Sequence, residues 1–432
     1  MNAAELPRDV LRDATALYVD LHAHPELSGE EVRTAGVLAA RLERDGCTVT
    51  RRVGGHGVVG VLRNGTGPTV MARAELDALP VRERTGLKYA STVPGVMHAC
   101  GHDLHTAAAA GAVSLLAGTR DSWRGTLVLV GQPAEETLSG ARAMLDDGLY
   151  DRFGTPDAVL AQHCAPLPAG CVAHGQGPLM SAGVTLDVVV HGRGGHAGTP
   201  HLAVDPVVTA AAVVMRLQTV VSRESAPGER VVLTVGSLHA GDRANVIPAE
   251  ARLSVSVRAF TDAALARVTE AVRRVVRAEC AASGCDREPE ITVTAASPVL
   301  ETHPETAHKV RRAHEEAFGA HRVTGWPGST ATEDFPHYAT GGVPVAYWML
   351  GATGVRQWRA AGGGGEPVPA NHTDTFAPDV RTALPAGITA MATAARSLLG
   401  TPGRRAGARD DPVPAGLRRR RRRARRPFGT RG

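Results

Sequence analysis

The chain has 432 residues, of which 43% are hydrophobic and 21% charged, a composition typical of a soluble globular protein with room for two domains. The formal net charge of +5 is misleading, because the twelve arginines and two aspartates after residue 403 contribute +10 and leave about −5 for the rest. The body of the protein is therefore mildly acidic, and the basic character belongs to the C-terminal tail.

Membrane and disulfide-based architectures are not expected. No uncharged apolar stretch approaches the ~20 residues that span a bilayer, and the N-terminus lacks a cationic segment followed by an apolar run. The six cysteines are dispersed without CxxC pairs, which is typical of a reducing compartment rather than of a disulfide scaffold. The sequence therefore predicts a cytoplasmic protein without a membrane segment.

The first part of the chain alternates helices and strands. Residues 8–46 have the pattern of an amphipathic helix that is interrupted at 22–28. Apolar strands are predicted at 57–62, 69–72 and 126–131, with an Ala-rich helix at 106–117 between them. This alternation predicts an α/β domain whose helices cover a sheet.

The pattern changes near residue 183. Predicted strands at 184–191, 231–238, 251–259 and 290–294 enclose helices at 206–221 and 262–282. This β-α-β-β-α-β order predicts a small α+β domain inserted into the first one. The first pattern resumes at about 298 with a strand at 343–350 and a helix at 385–399.

The predicted domains are therefore 1–182 and 297–400 for the two parts of the larger domain and 183–296 for the insertion. Residues 401–432 contain mainly Pro, Gly and Arg, with too little apolar content to fold, and predict a disordered tail.

The densest group of reactive side chains lies at 97–105, with the sequence MHACGHDLH. It offers one thiol, three imidazoles and a carboxyl group immediately before the Ala-rich helix. Cys100 and His102, two residues apart on a turn, can face one point, which a helix would not permit. The alternative interpretation is a polar loop with a buried cysteine, which is less favoured for the whole group than for any single member.

Carboxyl groups follow two predicted strands. Glu135 and Glu136 end one strand, and Asp77 follows another. Ligands bind at strand ends in α/β sheets, and two adjacent carboxylates repel each other unless a cation or a proton lies between them. The alternative for the pair is a solvated acidic turn. His163 and His372 are further candidates, although a single histidine is more often structural.

Eight segments, taken in order over about residues 10–400, resemble the amidohydrolase branch of the aminoacylase/carboxypeptidase metallopeptidases, which includes hippurate hydrolases and auxin-conjugate hydrolases. These segments are RAELDALP, MHACGHDLHT, GQPAEE, AQH, GGHAGTPH, ANVIP, TEDF and NHTDTF. The resemblance implies a mixed-sheet α/β catalytic domain with a dinuclear metal site. It also implies that the inserted α+β domain is ferredoxin-like, forms a lid and carries the contact of a homodimer.

The resemblance also implies roles for individual residues. Glu135 falls at the general base, and Asp77 falls at the residue that orients a ligating histidine. His196 falls at a residue that stabilises the oxyanion from the partner subunit, and Asn245 and Arg258 fall at contacts to the carboxylate end of the substrate. The implied metal ligands are Cys100, His102, Glu136, His163 and His372. One departure is Glu75, where this branch usually has Asp.

The donor types agree with this assignment. Thiolate, imidazole and carboxylate suit Zn²⁺ and also Mn²⁺, Co²⁺ or Ni²⁺, and five ligands are too many for one tetrahedral ion, which predicts two divalent ions. A metal can lower the pKa of bound water from 15.7 to about 7. Glu135 would then carry a proton from water to the leaving nitrogen while Glu136 stays ionised. The predicted function is metal-dependent hydrolysis of the amide bond of an N-acyl amino acid or a similar small conjugate.

Other interpretations have less support in the sequence. A GxGxxG match at 55–60 needs a following helix, but the sequence NGTGP at 64–68 breaks one, so a hairpin is favoured over a dinucleotide site. No GxSxG, P-loop or HExxH motif occurs. The arginine run at 418–426 could bind phosphate but lacks interleaved aromatic residues, so nucleic acid is not expected as a partner. A small-peptide carboxypeptidase or dipeptidase, and a non-catalytic binding protein with the same fold, remain open.

Overall fold

The computed structural model describes residues 6–401. The predicted tail lies outside these residues, apart from Thr401. Residues 6–401 belong to one compact unit. In the described part of the chain, no helix has both the length and the apolar content needed to cross a bilayer.

The elements alternate along the chain largely as predicted. The helices are α1 Arg8–Ala23, α2 Val32–Arg44, α3 His102–Gly118, α4 Gly140–Asp146, α5 Leu149–Phe153, α6 Pro206–Glu224, α7 Asp262–Ala282, α8 Pro304–Phe318, α9 Val355–Gly362 and α10 Val380–Leu398. The strands are β1 Thr48–Val53, β2 Gly57–Asn64, β3 Thr69–Glu75, β4 Gly125–Gln132, β5 Ala158–Pro168, β6 Val172–His174, β7 Pro178–Met180, β8 Ala182–His191, β9 Gly195–His196, β10 Val231–His239, β11 Val246–Ile247, β12 Glu250–Ala259, β13 Glu290–Ser297, β14 Leu300–Glu301, β15 Val323–Gly325 and β16 Val345–Thr353.

The larger sheet has eight strands in the order β1-β2-β4-β3-β5-β16-β6-β15. Its centre is parallel, because β3 pairs in parallel with β4 and β5, and β5 pairs in parallel with β16. Separate apolar clusters cover the two faces, one around α1, α2, α3 and α10 and the other around α4, α5 and 335–342. Burial on both faces explains why these strands are nearly continuous apolar runs.

The middle of the chain forms a second, four-stranded antiparallel sheet in the order β10-β12-β8-β13. Helices α6 and α7 pack on it around a third apolar cluster. Both begin at a capping side chain, since Asp205 accepts a hydrogen bond from the Val207 amide and Thr261 from the Ala264 amide. The β-α-β-β-α-β order is as predicted, whereas the domain boundaries and the lid and dimer roles stay predictions.

One local prediction is confirmed and two differ from the structure. The hairpin expected around 55–60 is confirmed as the antiparallel pair β1–β2. Helix α8 was not predicted. Helix α10 begins at Val380, five residues before Pro385, near which the sequence predicted its start. The Ala383 amide already donates to the Asp379 carbonyl, so the helix carries Pro385 internally.

Candidate metal centre

The candidate ligands come from neighbouring strands of the parallel centre of the sheet. Asp77 follows β3, Glu135 and Glu136 follow β4, and His163 lies within β5. Because β4, β3 and β5 are adjacent and parallel, their carboxyl ends meet at one edge of the sheet. The topology therefore collects residues that are up to 86 positions apart in the sequence, from Asp77 to His163.

A glycine turn brings Cys100 and His102 to the same edge. Gly101 has φ +86°, a left-handed conformation that favours glycine, and His102 is the first residue of α3. A Cβ at Gly101 would lie 2.3 Å from Cys164 Sγ, so any larger residue would force the turn away from β5. The prediction that Cys100 and His102 face one point from a turn is confirmed.

The five predicted ligand side chains form one continuous group. Cys100 Sγ lies 3.3 Å from both His163 Nε2 and His372 Nε2. Glu136 Oε1 lies 3.5 Å from His372 Nε2 and 3.8 Å from His102 Nε2. The potential ligand atoms of Cys100, His102 and Glu136 all lie within 4.8 Å of one another.

In His102 and His163 a hydrogen bond fixes Nδ1, so Nε2 is the nitrogen that faces the ligand group. His102 Nδ1 donates to the Asp77 carbonyl at 2.9 Å and lies 3.2 Å from its Oδ1, and His163 Nδ1 donates to the Cys164 carbonyl at 2.8 Å. Asp77 Oδ2 accepts from Ser28 Oγ at 2.7 Å and from the Glu136 amide at 2.9 Å. One carboxylate thus holds two of the ligand residues, the arrangement found behind metal-ligating histidines.

The electrostatics of the group favour a cation. Burial, followed by the Glu136 and Glu135 carboxylates, raises the pKa of the Cys100 thiol well above its usual range. Burial alone would lower the pKa of His102, but its hydrogen bond to Asp77 and the nearby carboxylates raise it to about 10. Burial, then Glu333 and Glu136, raises the pKa of Glu135.

The side chains present fit divalent metal. His102 Nε2 and Glu136 Oε1 are buried without a hydrogen-bond partner among the described residues. Unpaired buried polar atoms are costly, and a cation between them would satisfy both. The same cation would offset the repulsion that raises the pKa values of Cys100 and Glu135.

A buried charge network behind the ligands was not predicted. Arg73, in β3, is almost fully buried and forms an ion pair with Glu75. It also pairs with Glu333 Oε1 at 2.7 Å and Asp334 Oδ1 at 2.9 Å. Tyr347 donates to Glu333 Oε2 at 3.0 Å. The only sequence signal was an arginine inside an apolar strand together with the TEDF segment, and neither shows which partners meet.

Glu75, the departure from the family pattern, also holds His105. His105 Nδ1 donates to Glu75 Oε2 at 2.9 Å, and His105 Nε2 accepts from the Cys164 amide at 2.7 Å. Both ring nitrogens are therefore occupied, so this third imidazole of the 97–105 segment is a supporting residue and not a free ligand.

Three predicted residues of the middle segment lie in different places. Arg258 lines the cavity beside the ligands, and its Nη1 donates to the Thr330 carbonyl at 2.8 Å. His196 and Asn245 are exposed; His196 lies in β9, and Asn245 directly precedes β11, where its carbonyl accepts a hydrogen bond from the Ala197 amide. Neither lines this cavity within the described chain.

The cavity itself has a volume of about 420 Å³. One wall contains Cys100, Glu135, Glu136, His163 and His372. Other walls are apolar, with Leu138, Met180, Trp326 and Met349. A cavity of this kind, with a few polar groups at one end of an apolar space, is typical of a site for a small molecule.

The role of Asp77 can be tested by Asp77→Asn. Loss of the charge behind His102 and of an acceptor for the Glu136 amide should lower metal affinity roughly 10–100-fold, which chelator competition would measure. Asp103→Asn is a matched control, because Asp103 is also buried and bonded to a histidine, His22, that belongs to no ligand pair. Equal losses of affinity in both variants would show that Asp77 has no specific role.

Comparison with known proteins gives consistent matches. Residues 71–396 match peptidase family M20/M25/M40. The chain is 36% identical over 340 residues to an N-acetyl-L-cysteine deacetylase of Bacillus subtilis, covering 78% of this chain and 80% of the relative. It is 35% identical over 301 residues to the hippurate hydrolase of Campylobacter jejuni, covering 69% and 77%. A Bacillus subtilis structure described as a dinuclear metal-binding peptidase of the M20 family aligns with TM-score 0.71 and 28% identity, covering 91% of this chain and 99% of that chain.

Proposed function

This chain belongs to peptidase family M20/M25/M40, and we propose that it hydrolyses the amide bond of an N-acyl amino acid or a similar small N-acyl conjugate. Hydrolysis of amide bonds is common to its matched relatives, among them the deacetylase and the hippurate hydrolase. The observation that carries the proposal for the substrate is a single cavity lined by four of the five proposed ligands, by Glu135 and by Arg258.

Two divalent ions would be held by Cys100, His102, Glu136, His163 and His372. We propose Cys100 as the protein bridge, because its Sγ is 3.3 Å from two imidazole nitrogens and close to His102 and Glu136. The donor set suits zinc or manganese, with cobalt or nickel also compatible. When bound, such ions lower the pKa of water and polarise the amide carbonyl.

Glu135 is the proposed general base. Its carboxylate lies 3.7 Å from His102 Nε2, at the edge of the ligand group, and faces the cavity. No side chain or amide of the described residues donates a hydrogen bond to it, so it is available to a water molecule. It would take the proton of that water and return it to the leaving nitrogen. Glu136, anchored through its amide to Asp77, would remain ionised.

The two ends of the cavity suit the two ends of such a substrate. Arg258 offers a cation to a carboxylate, and burial lowers its pKa, which indicates a guanidinium that gains from an anionic partner. The apolar walls at Met180, Trp326 and Met349 can accept the acyl group. A dipeptide would have to place a charged amino group against these walls, which disfavours the peptidase alternative.

A homodimer is proposed through the middle segment. Several apolar side chains near His196 and on α6 are exposed, namely Leu202 at 66%, Val208 at 65%, Met215 at 73% and Val246 at 53%. Large exposed apolar side chains that are concentrated in one segment of the chain favour an interface on that segment. Because His196 is exposed and does not line the cavity of its own chain, we propose that it stabilises the oxyanion in the partner subunit.

The division of roles between the adjacent glutamates is tested by Glu135→Gln and Glu136→Gln. Glu135→Gln keeps the shape and removes the base, so turnover should fall roughly 10²–10⁴-fold while metal binding persists. Glu136→Gln removes a charged ligand and should weaken metal affinity. Steady-state kinetics on N-acetyl, N-benzoyl and N-indoleacetyl amino acids and on dipeptides, with metal analysis, measures both. Identical behaviour of the two variants would contradict the assignment.

The role of His196 is tested by complementation. His196→Ala should lower turnover roughly 10²–10³-fold, as loss of an oxyanion donor does, without loss of metal. Mixing it with excess Glu135→Gln protein should restore part of the activity, because a mixed dimer holds one site with both Glu135 and the partner's His196.

The control for that experiment is subunit exchange, followed with two differently tagged preparations. Failure to restore activity in protein that demonstrably exchanges subunits would mean that His196 acts in its own chain or only supports the fold.

A further inference from the structure

The turn between α1 and α2 lies against the metal centre. Leu27 forms a β-bridge with Ala78, and Ser28 Oγ donates to Asp77 Oδ2 at 2.7 Å. In the sequence this turn is only an interruption between two amphipathic helices. In the structure it contacts the loop that follows β3, and Glu31 extends the contact to the loop that follows β4.

Glu31 is a buried carboxylate that bonds to backbone. It is fully buried, and its Oε1 accepts from the Gly29 amide and from the Ala134 amide, both at 2.8 Å. Its Oε2 has no hydrogen-bond partner in the described part of the chain. No cationic side chain among those residues pairs with it. A buried carboxylate without a cation is unfavourable for stability alone, so its contact with Ala134 calls for an explanation.

The backbone of Ala134 has an unfavourable conformation that contacts with neighbouring residues must stabilise. Its φ is +51°, in the left-handed region that a residue with a Cβ rarely adopts, and Leu138 has φ +54°. These two residues flank Glu135 and Glu136. The Ala134 carbonyl accepts from the Ser139 amide at 3.2 Å and the Gly140 amide at 3.1 Å. Such conformations persist only where surrounding contacts determine them, and the bond to Glu31 is the contact on the amide side.

We propose that Glu31 is a positioning residue for amide hydrolysis, which fixes the backbone at Ala134 and thereby the place of the Glu135 carboxylate. This inference rests on the proposed role of Glu135 as the general base. Glu136 is anchored independently, because its own amide donates to Asp77 Oδ2. Loss of Glu31 should therefore displace the base more than the metal ligand.

The test is Glu31→Leu in the metal-loaded protein. Leucine has a similar size and no acceptor, so the Ala134 amide loses its partner. We expect kcat to fall roughly 10²-fold, the scale expected for a displaced catalytic group, with KM and bound metal unchanged. Hydrogen exchange measured by mass spectrometry should become faster in the peptide that contains residues 133–139. Glu31→Asp, whose shorter side chain cannot span both amides, provides the same test if the leucine variant does not fold.

Two variants separate positioning from stability. Glu31→Gln keeps an oxygen acceptor for Ala134 and should retain kcat and slow exchange. Glu26→Leu is the matched control, because Glu26 is a carboxylate in the same turn that accepts only from the Arg33 and Thr34 amides of α2. It should lower the melting temperature without changing kcat or exchange at 133–139.

The outcomes distinguish this inference from the proposed function. If Glu135→Gln is inactive but Glu31→Leu keeps the kcat and exchange of the Glu26→Leu control, the positioning role is wrong while the base assignment stands. If Glu135→Gln retains full turnover, the base assignment fails, and faster exchange in Glu31→Leu would still show that Glu31 holds the loop. If kcat fell equally in Glu31→Leu and Glu26→Leu, Glu31 would contribute only to the stability of the turn and not to the position of Glu135.

Discussion

Repulsion among acidic groups at one edge of the larger sheet is the constraint on which the rest of the site depends. Cys100, Glu135 and Glu136 lie together with three imidazoles. Burial raises the pKa values of the thiol and of both carboxyl groups, and the Glu136 carboxylate raises those of Cys100 and Glu135 further. Two buried atoms of the group, His102 Nε2 and Glu136 Oε1, have no partner among the described residues. A pair of divalent cations would offset the repulsion among these groups and provide partners for the two unpaired atoms. Removal of the cations would leave buried groups that repel one another and lack partners.

Hydrogen bonds from neighbouring residues fix the members of this group in place. Asp77 orients His102 and holds the Glu136 amide, the Cys164 carbonyl orients His163, and Glu31 holds the Ala134 amide. Behind these contacts, Arg73 offsets the charge of buried acids. These supports come from the parallel strands and from the turn before α2, so the preorganisation of the site is a property of the sheet edge as a whole.

Much of this arrangement could be predicted from the sequence, because local patterns carry it. The Cys100–Gly101–His102 turn, the acids after β3 and β4, and the order of strands and helices in the middle segment are all visible as short-range signals. Apart from the role of Asp77, which the family resemblance implied, the supporting contacts were not predictable, because they depend on which distant residues meet. Nothing near Arg73 indicates Glu333, which is 260 positions away, and nothing near Glu31 indicates a bond to Ala134. Helix α10 starts five residues before its predicted start, because the Ala383 amide bonds to the Asp379 carbonyl and the helix carries Pro385 internally.

The proposed chemistry requires that this sheet edge hold two divalent ions per chain with Cys100 between them. The most direct measurement is metal content after reconstitution with excess manganese or zinc and removal of free ions, compared with anomalous scattering from crystals of the same preparation. We expect about two ions per chain, both at the edge formed by β3, β4 and β5, with Cys100 contacting each. A single ion bound there at saturation would contradict the dinuclear assignment, and two ions of which Cys100 contacts one or neither would contradict the role of Cys100 as the bridge.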